Sequence, residues 1–267
     1  MSVPAQSVRL KIVKPPIPSV AAILPAKGTP QRRRFVLVTA ALCLFGLPLL
    51  FSTYVWFGGA PDEQELALHL GEPVRVAQAR QAIAQIAVRM SRGGRSMQHW
   101  YPRIRALAVF PDPDLRQSVA WAMGRDSSEA SFREPLRKLL ADPDVMVRRA
   151  AALSLANHGD AQSKAELEAM LRPYAVRAAT AGPIRILVHP GDRVSPWSDI
   201  ARTNNAAGDL TRIRAPVPGV VKSVAGEGEV QAEIGHTLIE IAPDSEQTTM
   251  AQKALRRLAA ATSPSGS

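Results

Sequence analysis

A chain of 267 residues, 46% of them hydrophobic, with a formal net charge of +10, is long enough for one or two folded domains. The charge is unevenly placed: residues 1–34 hold Arg9, Lys11, Lys14, Lys27, Arg32, Arg33 and Arg34 and no acid, which leaves 26 bases against 23 acids in the rest. The remainder lacks the broad basic field of a nucleic-acid binder, and the single cysteine, Cys43, rules out a disulfide framework within the chain.

Residues 1–34 combine those bases with Pro15, Pro16, Pro18, Pro25 and Pro30 and read as a disordered basic cytoplasmic tail. Residues 35–57, FVLVTAALCLFGLPLLFSTYVWF, carry no charge. Twenty-three residues in a helix cover roughly 34 Å, enough for a bilayer core. Tyr54 and Trp56 suit the far interface, and Arg32–Arg34 before the span put the N-terminus in the cytoplasm. The rival reading, a cleaved signal peptide, calls for an apolar core of about 7–15 residues near the chain start. This run is longer and follows a 34-residue leader, so an uncleaved anchor is expected. Cys43 lies inside the run with a poor lipoprotein cleavage box before it, and reads as a packed thiol.

Residues 62–172 show helical periodicity and many alanines. Asp112-Pro113 and Asp142-Pro143 look like helix starts, with aspartate capping free N–H groups and proline at the first helical position. LRQSVAWAMG (115–124) and VRRAAALSLA (147–156) align at an offset of 32, each preceded by an amphipathic segment, about 100–109 and 132–140. Two helical hairpins at solenoid spacing are expected, with Val147, Ala151 and Leu155 as one apolar stripe. Helices at about 76–90 and 161–171 would cap the stack. The alternative is one alanine-rich helical domain with no repeat history. The second unit resembles the HEAT-repeat family through Asp142, Pro143, Val147, Arg148, Ala150, Ala151, Leu155 and Gly159; in the first, Trp121 and Met123 take the leucine-like positions. With or without a repeat history, these helices read as a packing or docking surface.

From Pro173 the pattern turns to short Val/Ile-rich stretches between Gly, Pro and Asp turns, a small β unit over 173–243. It contains a duplication: residues 176–192 align at an offset of 37 with 213–229, with Arg177/Arg214, Ala178/Ala215, Gly182/Gly219 and Gly191/Gly228 identical. Two such halves can pack as a pseudo-symmetric sandwich. The second half resembles the biotinyl/lipoyl-like, barrel-sandwich-hybrid fold as it occurs in HlyD-like membrane fusion proteins, through Ala215, Pro216, Gly219, Val220, Val221, Gly228, Gly235, Leu238 and Ile241. The first half matches more loosely through Gly182, Gly191, Asp192, Val194 and Ile200. The resemblance implies a periplasmic adaptor of an export system, in a family that often forms rings. Two departures limit it. No lysine occurs between Lys164 and Lys222, so the carrier lysine of lipoyl and biotinyl domains is missing from the turn 201–211, and that turn is too short for the helical hairpin of export adaptors.

No zinc site is expected. The β unit is faintly similar to lysostaphin-type endopeptidases, but none of His69, His99, His158, His189 and His236 forms the H-x-H pair that family needs. No nucleophile elbow, P-loop or dinucleotide fingerprint occurs, and Asp192, Asp199 and Glu229 read as solvated turn acids. Residues 244–267 read as an amphipathic helix, capped by Asp244 or Ser245, and a flexible tail; packing on the helical array is simpler than partner binding.

The expected architecture is an α+β multidomain chain: a transmembrane helix, a short HEAT-like array, an all-β barrel-sandwich hybrid and a C-terminal helix. No catalytic, cofactor-binding or metal-binding residue is assigned and no cofactor is expected. The expected role is a single-pass bacterial inner-membrane protein with periplasmic domains, docking onto an inner-membrane transporter or envelope secretion complex, with homo-oligomers open and nucleic acid excluded. A regulatory or assembly subunit of a polysaccharide or secretion machine is the alternative, and a cell-wall hydrolase is disfavoured by the missing metal ligands.

Overall fold

The computed structural model describes residues 63–92, 95–204 and 208–262. The tail 1–34, the span 35–57 with Cys43, and residues 263–267 lie outside the described residues. Among the described residues there are eight α-helices and two antiparallel sheets, and no helix long and apolar enough to cross a membrane.

Seven of the helices precede the β strands. They are α1 (Glu63–Leu70), α2 (Val76–Ser91), α3 (Tyr101–Ala106), α4 (Pro113–Met123), α5 (Arg133–Leu139), α6 (Val145–Asn157) and α7 (Lys164–Ala169). The short helices α3, α5 and α7 are each preceded by 3-10 turns, so these segments form one layer of broken helices. The longer α2, α4 and α6 pack on one another in series and form the second layer. Helix α1, which packs on α2, was not anticipated: its eight residues are too few to display a clear period. The core runs through both layers, with Ile83, Ile86, Ile104, Leu115, Met123, Phe132, Leu136, Val147 and Leu155 essentially inaccessible.

Two sequence expectations change here. Asp112 caps α4 through Leu115 N–H at 2.9 Å, but α6 is capped by Asp144, which accepts from Met146 and Val147 N–H at 2.7 and 3.1 Å. Asp142-Pro143 therefore precedes the helix rather than starting it. The offset of 32 already carries Asp112 onto Asp144, and it frees Asp142 for an ion pair. The second change concerns the closing element. Helix α7 does not end the stack, because the C-terminal helix α8 (Ser245–Thr262) packs on both α6 and α7. Its N-terminus is capped by Asp244, which accepts from Gln247 N–H at 2.8 Å.

The strands lie between α7 and α8 in sequence: β1 (Tyr174–Arg177), β2 (Gly182–Ile186), β3 (Arg193–Val194), β4 (Asp199–Asn204), β5 (Leu210–Arg214), β6 (Gly219–Val224), β7 (Glu229–Ala232) and β8 (Thr237–Ala242). One sheet has the order β1-β8-β6-β3 and the other β5-β4-β2-β7. The 37-residue offset maps β1 to β4 onto β5 to β8, and exchanging the halves turns the first order into the second. Each sheet thus takes two strands from each half, and neither half has a complete sheet alone. Ile184, Ile186 and Ile200 from one sheet and Val221, Leu238, Ile239 and Ile241 from the other share one core. Val145, at the start of α6, joins that core, and helices and strands belong to one compact unit, Pro61–Ser267.

The paired glycines at the starts of β2 and β6 show where the two halves differ. Both have positive φ, +131° at Gly182 and +158° at Gly219. A Cβ at Gly182 meets nothing within 4 Å, whereas one at Gly219 would sit 2.2 Å from the Ala242 carbonyl oxygen and 2.8 Å from Ile241 Cγ2. Gly182→Ala should cost only backbone strain, about 1 kcal/mol. Gly219→Ala adds an overlap with backbone of a neighbouring strand and should cost about 3 kcal/mol. Urea denaturation of the two variants checks the order; equal midpoints would contradict the packing described.

Candidate docking groove

Helices α2, α4, α6 and α8 line a common groove with a volume of about 890 Å³. Close approach of α4 and α6 shapes its floor. Gly124 stands at the end of α4 with no room for a side chain, since a Cβ there would lie 2.4 Å from Ser154 Oγ. The free carbonyls at that helix end are taken up by α6: Ser154 Oγ donates to Ala120 O at 2.8 Å and Asn157 Nδ2 to Gly124 O at 3.2 Å. His158 Nε2 lies 3.1 Å from Met123 O. A carbonyl only accepts, so Nε2 carries a proton in this contact. One helix further along, Arg257 of α8 donates to the side-chain Oδ1 of Asn157 at the end of α6. Helix α8 thus takes the place of a fourth inner helix, and the β strands are inserted between it and α7.

The junction of array and strands holds a buried cation. Arg149 of α6 is 4% exposed and donates through Nη1 to Gln247 Oε1, while Gln247 Nε2 donates to Pro218 O ahead of β6. Arg149 Nε has no partner. Burial pushes the guanidinium pKa down, against the upward pull of Glu166, Tyr174 and Asp244. Nearby, burial raises Glu166 against the lowering effect of Arg148 and Arg149. At the rim, the Arg125 guanidinium lies 3.9 Å from the centroid of the Trp121 ring. Trp121, expected at a leucine-like position, is 40% exposed, whereas its helix neighbour Met123 is fully buried. The reason is the facing: Trp121 falls on the groove side of α4 and Met123 on the core side.

The remaining polar residues singled out in the sequence do not converge. His189 and Asp192 stand together on an exposed turn, with Nδ1 and Oδ2 3.8 Å apart. His236 is exposed on the turn before β8. Asp199 lies 3.7 Å from each of Arg212 and Arg214. Lys222, the lysine of the β unit, sits within β6 and pairs with Glu240 of β8 at 3.1 Å. Among the described residues no three His, Cys, Asp or Glu side chains gather as a metal would require.

Sequence reasoning did not pick out the groove cations, because Arg125, Arg149, Lys253 and Arg257 come from one turn and two helices spread over more than a hundred residues. The one local signal was Arg149 itself, a charge set into the alanine-rich run of α6. Comparison with curated proteins finds no match. Residues 102–182 match the family model for HEAT repeats, which supports a HEAT-like repeat arrangement for the helices within that range.

Proposed function

We propose that this chain is a non-catalytic adaptor of the bacterial envelope, held in the inner membrane by residues 35–57, with its folded part in the periplasm. The observation that carries the reading is the groove, a concave surface on a repeat array of a kind that suits protein–protein contact. Anchoring supports it by confining the array to the membrane plane, where effective concentration rises. In this reading the β unit is a lysine-free barrel-sandwich hybrid of the HlyD-like type, supported by its interleaved duplication and by the motif residues around Gly219 and Gly228. The partner is an inner-membrane transporter or a secretion complex.

A second reading is favoured by where the groove lies. Since α8 completes the groove after the chain has passed through the β unit, the strands can serve to position the helices. That suits a regulatory or assembly subunit of an envelope polysaccharide or secretion machine. Gentle detergent solubilisation of the tagged chain, followed by mass spectrometry of what co-purifies, tests both. Recovery of an envelope transporter or assembly subunit in fixed proportion is expected. Recovery of the chain alone, as a discrete monomer or homo-oligomer, would overturn the stable-adaptor reading. Variants in the groove and on the strands then separate the two roles.

A further inference from the structure

The groove carries a charge pattern that identifies its occupant. Five cations line it: Arg80, Arg125, Arg149, Lys253 and Arg257, and no carboxylate does. Arg80 reaches Asp114 at 3.4 Å, outside the lining. Among the described residues, the other four have no carboxylate within ion-pair distance: Arg125 stacks on Trp121, Arg149 and Arg257 donate to amide oxygens, and Lys253 stands exposed in solvent. Arg149 is buried with Nε unpartnered, and the carboxylates of Glu166 and Asp244 act on it only from beyond ion-pair contact, so a contacting negative charge would stabilise it further. Between the cations lie the half-buried Met146 and Leu153 beside the uncharged polar Gln117, Ser118 and Asn157, with Trp121 and Met250 exposed at the rim.

We infer that the groove takes an extended acidic segment of a partner protein, in which carboxylates alternate with aliphatic or aromatic side chains. The carboxylates face Arg125, Lys253 and Arg257 and add a contacting negative charge at the Arg149 end, while the apolar side chains lie on Met146, Met250 and Trp121. Four helices at ~8–10 Å spacing make the groove roughly 24–30 Å across. At ~3.3 Å per residue, about eight extended residues span it. The chain's own N-terminal leader cannot be the occupant, since residues 1–34 contain no acid. A nucleic acid fits less well, because a largely apolar surface with isolated cations lacks a continuous basic track for phosphates. The inference rests on the adaptor reading, since it names the partner chemistry for the same groove.

The test pans the full chain, in detergent micelles, against a random dodecapeptide library displayed on phage. Enriched peptides are then synthesised with a fluorescent label and titrated by anisotropy at about 0.05 and 0.3 M salt. Expected are sequences rich in Asp and Glu with interspersed Leu, Ile, Phe or Tyr, whose binding weakens with salt. K253E combined with R125Q should lower the affinity about tenfold or more, with the melting temperature little changed, because neither side chain is buried or ion-paired and the surface stack of Arg125 on Trp121 is weak. W121A should lower it independently of salt. No enrichment, enrichment of basic or uncharged sequences, or tighter groove binding of oligodeoxythymidine would overturn the proposal. A partner that co-purifies from membranes equally well with K253E and wild type would also overturn it, while leaving the adaptor reading intact.

Discussion

Deleting α8, residues 245–262, should destabilise the helical array by about 5 kcal/mol or more, a large part of an ordinary domain's stability. The helix buries Ala251, Ala254 and Leu258 against Ala152, Ala156, Leu167 and Met170, the last four all but inaccessible. Uncovering Leu167 and Met170 alone returns about 1.5–3 kcal/mol each to solvent exposure. Deletion also removes Gln247 from Arg149, leaving a buried guanidinium without its partner, for about 1–3 kcal/mol more. Thermal unfolding of the solubilised chain, followed by far-ultraviolet circular dichroism, should show a transition displaced by well over ten degrees. A synthetic peptide of residues 244–262 added in trans should recover part of the loss, because its contacts do not require chain continuity. A deletion variant that melts with the intact chain would show that α8 is an appendage and that the array closes at α7.

That dependence explains what could and could not be read from the sequence. Helix starts, apolar stripes and the two duplications are local or nearly periodic, and they appear in the order of the residues. Asp112 and the stretch Val147–Leu155 announce their helices, and the 37-residue offset predicts paired strands before any pairing is seen. The apolar stripe of α8 was equally visible, and its packing on the helical array was the simpler reading and is what the structure shows; which helices receive it was not legible. The contact from Arg149 to Gln247 joins residues 98 apart, with the whole β unit between them. No period reports a contact of that separation, because it arises only after the strands have folded back to bring their two ends together. The groove was illegible for the same reason: its cations are adjacent only in space. The mistaken cap at Asp142 has a different origin. Asp-Pro is a genuine start signal, and two candidate aspartates stood two residues apart. The choice between them was decided by Arg116, 26 residues earlier, which claims Asp142.

Arg116→Ala should cost about 3–5 kcal/mol, since it leaves a buried carboxylate without its counter-charge. The guanidinium grips Asp142 with two bonds, Nε to Oδ2 at 2.7 Å and Nη2 to Oδ1 at 2.8 Å, and donates through Nη1 to the carbonyls of Phe110 and Pro111. The side chains are 12% and 6% exposed, so neither charge has much water to fall back on. In Arg116→Ala, Asp142 keeps only the Asp144 N–H. Arg148, its counterpart at the offset of 32, likewise donates to the carbonyls of Asp142 and Pro143, but meets Glu166 at a looser 3.6 Å. Arg148→Ala should therefore cost less, about 1–2 kcal/mol. The pH dependence separates the pairs further. Burial raises the Asp142 pKa, but the bonds from Arg116 and Asp144 and the charges of Arg116 and Arg148 outweigh it and hold it below the ordinary carboxylate range. A depressed carboxylate adds stability that is complete above its unfolded value, about 4, and that fades as the pH falls through the folded one. Glu166 is shifted upward and works in the opposite sense, its contribution being present at low pH and lost as the pH rises through its raised value. The gap between wild type and Arg116→Ala in urea denaturation should thus stay constant from about pH 8 to 5 and narrow below about pH 4. A gap that is small at neutral pH, or that does not narrow in acid, would mean that the ion pair does not join the successive repeats as its geometry indicates.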